Sequence, residues 1–160
     1  MIQFRDYQND IIAKGTEVIS DYGFLYLAME VRTGKTLTSL GIVDKVGATN
    51  ALFITKKKAM QSIIEDYDNL KPNFPLYVIN YESLHKLPKL NWDMVICDEA
   101  HTMGAFPKPS KRAKQVRDIV FDCNSKVIFL SGTPTPESFS QMYHQVYSLR
   151  KNPFSHHKSF

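Results

Sequence analysis

The sequence predicts an α/β fold built on a doubly wound, mostly parallel sheet flanked by helices. Three observations predict it: five short apolar blocks punctuate the chain, segments with helical spacing separate them, and the chemistry-bearing residues directly follow three of the blocks. Near-continuous apolar runs of this length suit parallel strands covered on both faces. Alternation of strand and helix then implies right-handed crossovers, and such sheets bind ligands at the carboxyl ends of their strands.

The elements follow in order. Ile11, Ile12, Val18 and Ile19 mark an amphipathic first helix, and Phe24 to Ala28 reads as the first strand. Thr36 to Val46 forms a second helix, stopped by Gly47 in the position favoured for a left-handed cap. The strand Ala51 to Thr55 leads to a helix over Lys57 to Leu70, with Ile63, Ile64, Tyr67 and Leu70 on one side. Pro72 prevents its extension. Strands at Leu76 to Asn80 and Met94 to Cys97 come next. Thr102 to Lys111, with Gly104, Pro107 and Pro109, reads as a surface loop. Ser110 caps a helix running to about Phe121, Val127 to Leu130 is the fifth strand, and Glu137 to Leu149 is the last helix.

At 160 residues, the chain is long enough for one domain with its own core, burying roughly 70% of the surface its unfolded state exposes. Hydrophobic residues make up 43% and charged residues 22%, ordinary globular usage. A net charge of +4 is compatible with a nucleic-acid partner. The two cysteines, Cys97 and Cys123, form no CxxC pair, and no Cys/His cluster has metal-ligand spacing, which argues against a zinc site. Cys97 ends an apolar block and reads as a buried free thiol. The N-terminus lacks the build of a signal peptide, and no apolar run approaches the roughly 20 residues that span a bilayer. These features lead us to expect an intracellular, cytoplasmic protein without membrane partners (host cytoplasm for a viral one).

The loop after the first strand runs Met29-Glu30-Val31-Arg32-Thr33-Gly34-Lys35-Thr36. A strand, Gly-Lys-Thr and a helix is the layout of a phosphate-binding loop, with backbone N–H groups at the helix start facing the anion. Lys35 is placed to reach the β- and γ-phosphates, and Thr36 to hold Mg²⁺. Met29 stands where the full loop pattern has its first glycine. Chance alone gives Gly-Lys-[Ser/Thr] in about one chain in ten of this length, so the match is only suggestive. Asp98-Glu99-Ala100-His101, directly after Met94 to Cys97, is expected by chance in about one chain per thousand. A carboxylate at a strand end, Asp98, suits the Mg²⁺ shell, and the next, Glu99, suits deprotonation of a water attacking the γ-phosphate. Ser131-Gly132-Thr133-Pro134 follows the fifth strand and brings hydroxyls to the same sheet edge.

With these residues the sequence resembles superfamily-two helicases, and most closely the Swi/Snf-type DNA translocases. Arg5-Asp6-Tyr7-Gln8 is similar to the family's Arg-x-Tyr-Gln motif, which implies that Gln8, with Arg5, meets adenine. Ala28 to Thr36 resembles the family's Ala-Asp-Glu-Met-Gly-Leu-Gly-Lys-Thr loop, with Met29 in place of Asp and Arg32 in place of Gly. That resemblance makes Arg32, Thr33, Gly34, Lys35 and Thr36 the nucleotide-binding set. Thr55, Lys56 and Lys57 fall in the motif that touches the nucleic-acid backbone, and Tyr81 in the Tyr-Glu turn that follows. His101, Ser131, Gly132 and Thr133 match positions that couple nucleotide state to nucleic acid.

The resemblance implies a RecA-like ATP-binding domain over residues 1–150, with 151–160 leading towards a second RecA-like domain that carries arginine fingers. It implies ATP and Mg²⁺ as cofactors and nucleic acid, favouring double-stranded DNA, as partner. Two functions stay open on the residues themselves. One is a motor domain whose Lys35, Asp98 and Glu99 hydrolyse ATP to drive movement on DNA; the other is a nucleotide-gated nucleic-acid-binding module without hydrolysis of its own.

Overall fold

Ile12 and Ile19 fall on one face of the first helix, α1 (Asp6–Tyr22), and both are buried. The computed structural model describes residues 3–29, 34–99 and 111–132. Helix α1 ends at Gly23, which takes a left-handed conformation and donates its N–H to Ile19 O at 2.8 Å. It packs against α2 (Lys35–Val46), and the contact is close because Gly15 and Gly41 carry no side chain. A Cβ at Gly15 would stand 2.7 Å from Ile42 Cδ1, and one at Gly41 would stand 2.7 Å from Ile12 Cδ1. As the sequence predicts, α2 stops at Gly47, at φ 79°.

Five strands form one parallel sheet: β1 (Phe24–Ala28), β2 (Ala51–Thr55), β3 (Leu76–Asn80), β4 (Met94–Cys97) and β5 (Lys126–Ser131). Their spatial order is β1-β5-β4-β2-β3. After β1 the chain crosses two strand positions to lay down β2 and β3, then returns to insert β4 and β5 between β2 and β1. Register pairs Ile54 with Cys97, Cys97 with Phe129, and Ala28 with Ser131, so the loops after β1, β2, β4 and β5 emerge along one edge.

Side-chain alternation explains why the strand blocks are apolar throughout. Phe53, Met94, Ile96, Ile128 and Leu130 face the layer formed by α1, α2 and α3 (Met60–Leu70). Leu52, Ile54, Val95, Cys97, Val127 and Phe129 face α4 (Lys111–Cys123) and the 3₁₀ turn Tyr81–Lys86. Both faces are covered, as all-parallel sheets require. Phe24 and Phe129 meet edge to face, with centroids 5.4 Å apart.

Two boundaries differ from the sequence expectation by more than one residue. The helix expected from Lys57 enters through a 3₁₀ turn (Lys57–Ala59) before α3 begins at Met60, with the Ala59 N–H donating to Lys56 O at 3.0 Å. Successive lysines there oppose the positive end of a helix dipole, and the tighter turn is common at helix starts. The fourth helix extends to Cys123, beyond Phe121. The loop expected over Thr102 to Lys111, its Ser110 cap and the final helix over Glu137 to Leu149 lie largely or wholly outside the described residues. Among the described residues no helix is long and apolar enough to cross a membrane. Both cysteines are free, Cys97 buried and Cys123 half-buried.

Candidate functional site

The first residue of α2 meets the first residue after β4. Lys35 Nζ lies 3.2 Å from Asp98 Oδ1, with side chains only 18% and 6% exposed. The sheet order causes this, since the ends of β1 and β4 are separated only by β5. The pair sits where the chain's winding reverses, the crevice in which open α/β sheets bind ligands.

Asp98 is anchored on all sides. Its N–H continues the ladder to Ile54 O at 2.8 Å. The Thr55 hydroxyl donates to Oδ2 at 2.9 Å, and the Tyr81 hydroxyl donates to the Asp98 carbonyl at 2.6 Å. Tyr81 is 3% exposed, and burial first, then the nearby Cys97 and Asp98, push its phenol well above its ordinary value, so it stays a donor. The Arg112 guanidinium covers the Tyr81 ring at 4.7 Å and binds Glu82 at 2.8 Å. The Glu82 carboxyl is held below its usual value, chiefly by the Asn80 side chain, which donates to it at 3.0 Å. Burial pushes the Cys97 thiol up, so it is inert beside the site.

Thr55 and Tyr81 were expected at the nucleic-acid surface. The structure buries both, Thr55 as the last residue of β2 and Tyr81 as the first after β3. There each hydroxyl donates to Asp98. Lys56 and Lys57 are exposed at the end of β2, as a surface contact requires.

Glu99 adopts φ 51°, a left-handed backbone rare outside glycine. Its N–H donates to Asp98 Oδ1 at 3.0 Å, closing a turn on the preceding side chain. Its carboxylate reaches the end of β2, where Oε1 lies 3.1 Å from Lys56 Nζ. Such backbone outliers cost about 1–3 kcal/mol and cluster at functional sites.

Gly34 takes φ 78° immediately before α2. A Cβ there would stand 2.3 Å from Gln8 Nε2, so glycine serves both the backbone conformation and the approach of Gln8. Gln8 is buried; Oε1 accepts the Arg5 N–H at 2.9 Å and Nε2 donates to Thr38 Oγ1 at 3.4 Å. Thr38 in turn donates to Gly34 O at 2.8 Å, so Gln8 and Thr38 brace the loop from below. Thr38 escaped sequence reasoning; its one signal is a threonine four residues after Gly34, the spacing for bonding back to a carbonyl.

Met29 is buried in the core and donates its N–H to Ser131 O at 3.0 Å, extending the β1–β5 pairing. Ser131 is thereby brought to the edge where β1 ends, with Gly132 beside it. Thr36 lies on the first turn of α2 and Arg5 caps α1 at the surface. Arg32, Thr33, His101 and Thr133 lie outside the described residues. A separate cleft of about 480 Å³, bounded by Leu84, Leu90, Trp92, Ile119 and Cys123, opens at the opposite end of β4 and takes no part in this site.

Residues 49–160 match the family model of the SNF2-related domain, a span that includes Asp98 and Glu99 and begins after Lys35 and Thr36. In structure the chain is similar to a nuclease-deletion mutant of the Type ISP restriction-modification enzyme LlaGI in complex with a DNA substrate mimic, at 17% identity and a TM-score of 0.58. That likeness covers 83% of this chain and 18% of the other. It is also similar to the Pyrococcus furiosus Hef helicase domain, at 18% identity and a TM-score of 0.68, covering 89% of this chain and 37% of the other. The chain thus spans well under half of either solved chain, and at these identities the likeness establishes the fold alone. No curated protein sequence matches it. With the family match covering most of its length and a five-stranded parallel sheet beneath it, the chain belongs to the SNF2-related domain family and has a RecA-like α/β fold.

Proposed function

We propose that the chain is the ATP-binding domain of a nucleic-acid helicase or DNA translocase, hydrolysing ATP to drive movement on DNA. The observation that carries this reading is the 3.2 Å approach of Lys35 Nζ to Asp98 Oδ1, which joins an anion-binding group and a cation-binding group in one crevice.

The donor set fits ATP and Mg²⁺. Lys35 and the α2 N-terminus suit phosphate oxygens. Among the described residues no cluster of three or more His, Cys, Asp or Glu exists. Mg²⁺ needs only one or two protein oxygens when phosphates supply others. Thr36 and Asp98 are those oxygens, and Arg32, Thr33 and Gly34 complete the phosphate loop. ATP supplies the transferred phosphoryl group and Mg²⁺ offsets its charge. Glu99 accepts the proton of the attacking water. Thr55 and Tyr81 keep Asp98 fixed while this happens. Gln8, with Arg5, serves the adenine side through the end of α1, and His101, Ser131, Gly132 and Thr133 pass the nucleotide state on.

Double-stranded DNA runs past Lys56 and Lys57, whose exposed ammonium groups suit backbone phosphates. Residues 1–150 make up the domain and 151–160 lead towards a second RecA-like domain, in cis or in trans. Its arginine finger adds on the order of 10³–10⁵ to turnover.

Hydrolysis and nucleotide affinity measured together test the proposal. Glu99→Gln is expected to keep ATP binding and lower turnover by about 10²–10⁴, the usual worth of a positioned base. Unchanged turnover in that variant removes Glu99 from the reaction. The Lys56–Glu99 contact favours one competing account, a nucleotide-gated binding module, because it occupies the carboxylate. ATP binding without turnover in the wild-type protein, with and without nucleic acid, selects that account.

A further inference from the structure

The ion pair between Lys56 and Glu99 joins two residues to which the proposed function gives different ligands. Lys56 ends β2 on the face proposed for nucleic acid, and Glu99 follows β4 as the group that activates water. Parallel pairing of β2 with β4 places their loops side by side and makes the 3.1 Å contact possible. We propose that Lys56 is a positioning residue for Glu99 that nucleic-acid phosphate draws away, so that binding of the polyanion releases the carboxylate for its water. This inference rests on the reading of Glu99 as the water-activating group.

Four features support it. The ammonium occupies Glu99 Oε1, one of the two oxygens that could accept from water, so the two contacts compete for one carboxylate. The pair is weak enough to exchange, because its side chains are 55% and 32% exposed and exposed pairs contribute little. Lys57 and Lys58 are exposed beside Lys56, so a phosphate backbone arriving there meets three successive cations and does not depend on breaking the pair to bind. Glu99 is also held in a left-handed backbone, with its N–H on Asp98 Oδ1. Release of Lys56 therefore changes the side chain's partner while the backbone stays anchored.

Reciprocity between linked sites makes the proposal testable without any nucleotide. If Glu99 restrains Lys56, removing the carboxylate charge frees Lys56 for DNA. The experiment measures the dissociation constant of a duplex oligonucleotide, in the absence of ATP, for the full chain and for Glu99→Gln, Lys56→Gln and the double variant. Glu99→Gln is expected to tighten binding about two- to fivefold in the Lys56 background, the scale of an exposed ion pair, and to leave it unchanged in the Lys56→Gln background. Equal tightening in both backgrounds reports only a general charge effect and overturns the proposal, as does absence of duplex binding by all four proteins. In parallel, Lys56→Gln is expected to raise turnover without nucleic acid and to shrink the stimulation that duplex gives. Lower nucleic-acid-free turnover in that variant overturns the proposal, because Lys56 would then be assisting Glu99. A wild-type protein with no turnover refutes hydrolysis, while the binding cycle still reads the Lys56–Glu99 coupling.

Discussion

Asp98 is bonded through both its side chain and its backbone: Lys35 and the Glu99 N–H on one carboxylate oxygen, Thr55 on the other, and Tyr81 on its carbonyl. Lys35→Ala is expected to weaken ATP binding by about 10- to 100-fold, the worth of a hydrogen bond to a charged group. Titration calorimetry with ATP and Mg²⁺ checks it, and an unaltered affinity counts against the phosphate loop. Tyr81→Phe deletes one buried bond and is expected to cost about 0.5–1.5 kcal/mol of stability, read by denaturant unfolding. Because the folded phenol is raised, its stabilisation is complete below the unfolded value near 10 and disappears as pH climbs through the folded one. Tyr81→Phe is therefore expected to blunt alkaline destabilisation and to leave the neutral range flat. Lys35, Asp98 and Glu99 were legible because each directly follows a recognisable strand or turn. The inward turn of Thr55 and Tyr81 was not, because it depends on which strand lies beside β2, and nearest-neighbour sequence carries no such information.

At the scale of elements, the junction between β1 and α2 is the most constrained. Gly34→Ala is expected to lose about 1–2 kcal/mol, the penalty of a left-handed backbone for a residue with a Cβ. It also pushes Gln8 off Thr38, since the new atom would meet Nε2 at 2.3 Å. Thermal unfolding and ATP affinity should fall together, and a silent substitution would contradict the bracing of the loop. Within β5, Phe129→Ala leaves a cavity against Phe24 on one sheet face and is expected to cost about 3–5 kcal/mol. The strands were readable because each carries a run of apolar residues suited to a two-sided core. The order β1-β5-β4-β2-β3 was not, since insertion of β4 and β5 is a property of the assembled sheet. The start of α3 was misplaced because helical spacing persists through residues that the dipole disfavours.

For the whole molecule, the sheet order is what brings separate sequence motifs together. It sets Gly34 and Lys35, Asp98 and Glu99, and Ser131 along one edge, with Lys56 and Lys57 at the outlet of β2. Duplex binding through those lysines is expected to weaken steeply with salt, and Lys57→Ala to reduce the slope of log affinity against log salt by about one. The most direct test of the central claim is ATP turnover by the protein with duplex DNA, single-stranded DNA, RNA and no nucleic acid. The account predicts slow turnover without nucleic acid and strong stimulation by duplex DNA; ATP bound but never hydrolysed under any of the four conditions would contradict it.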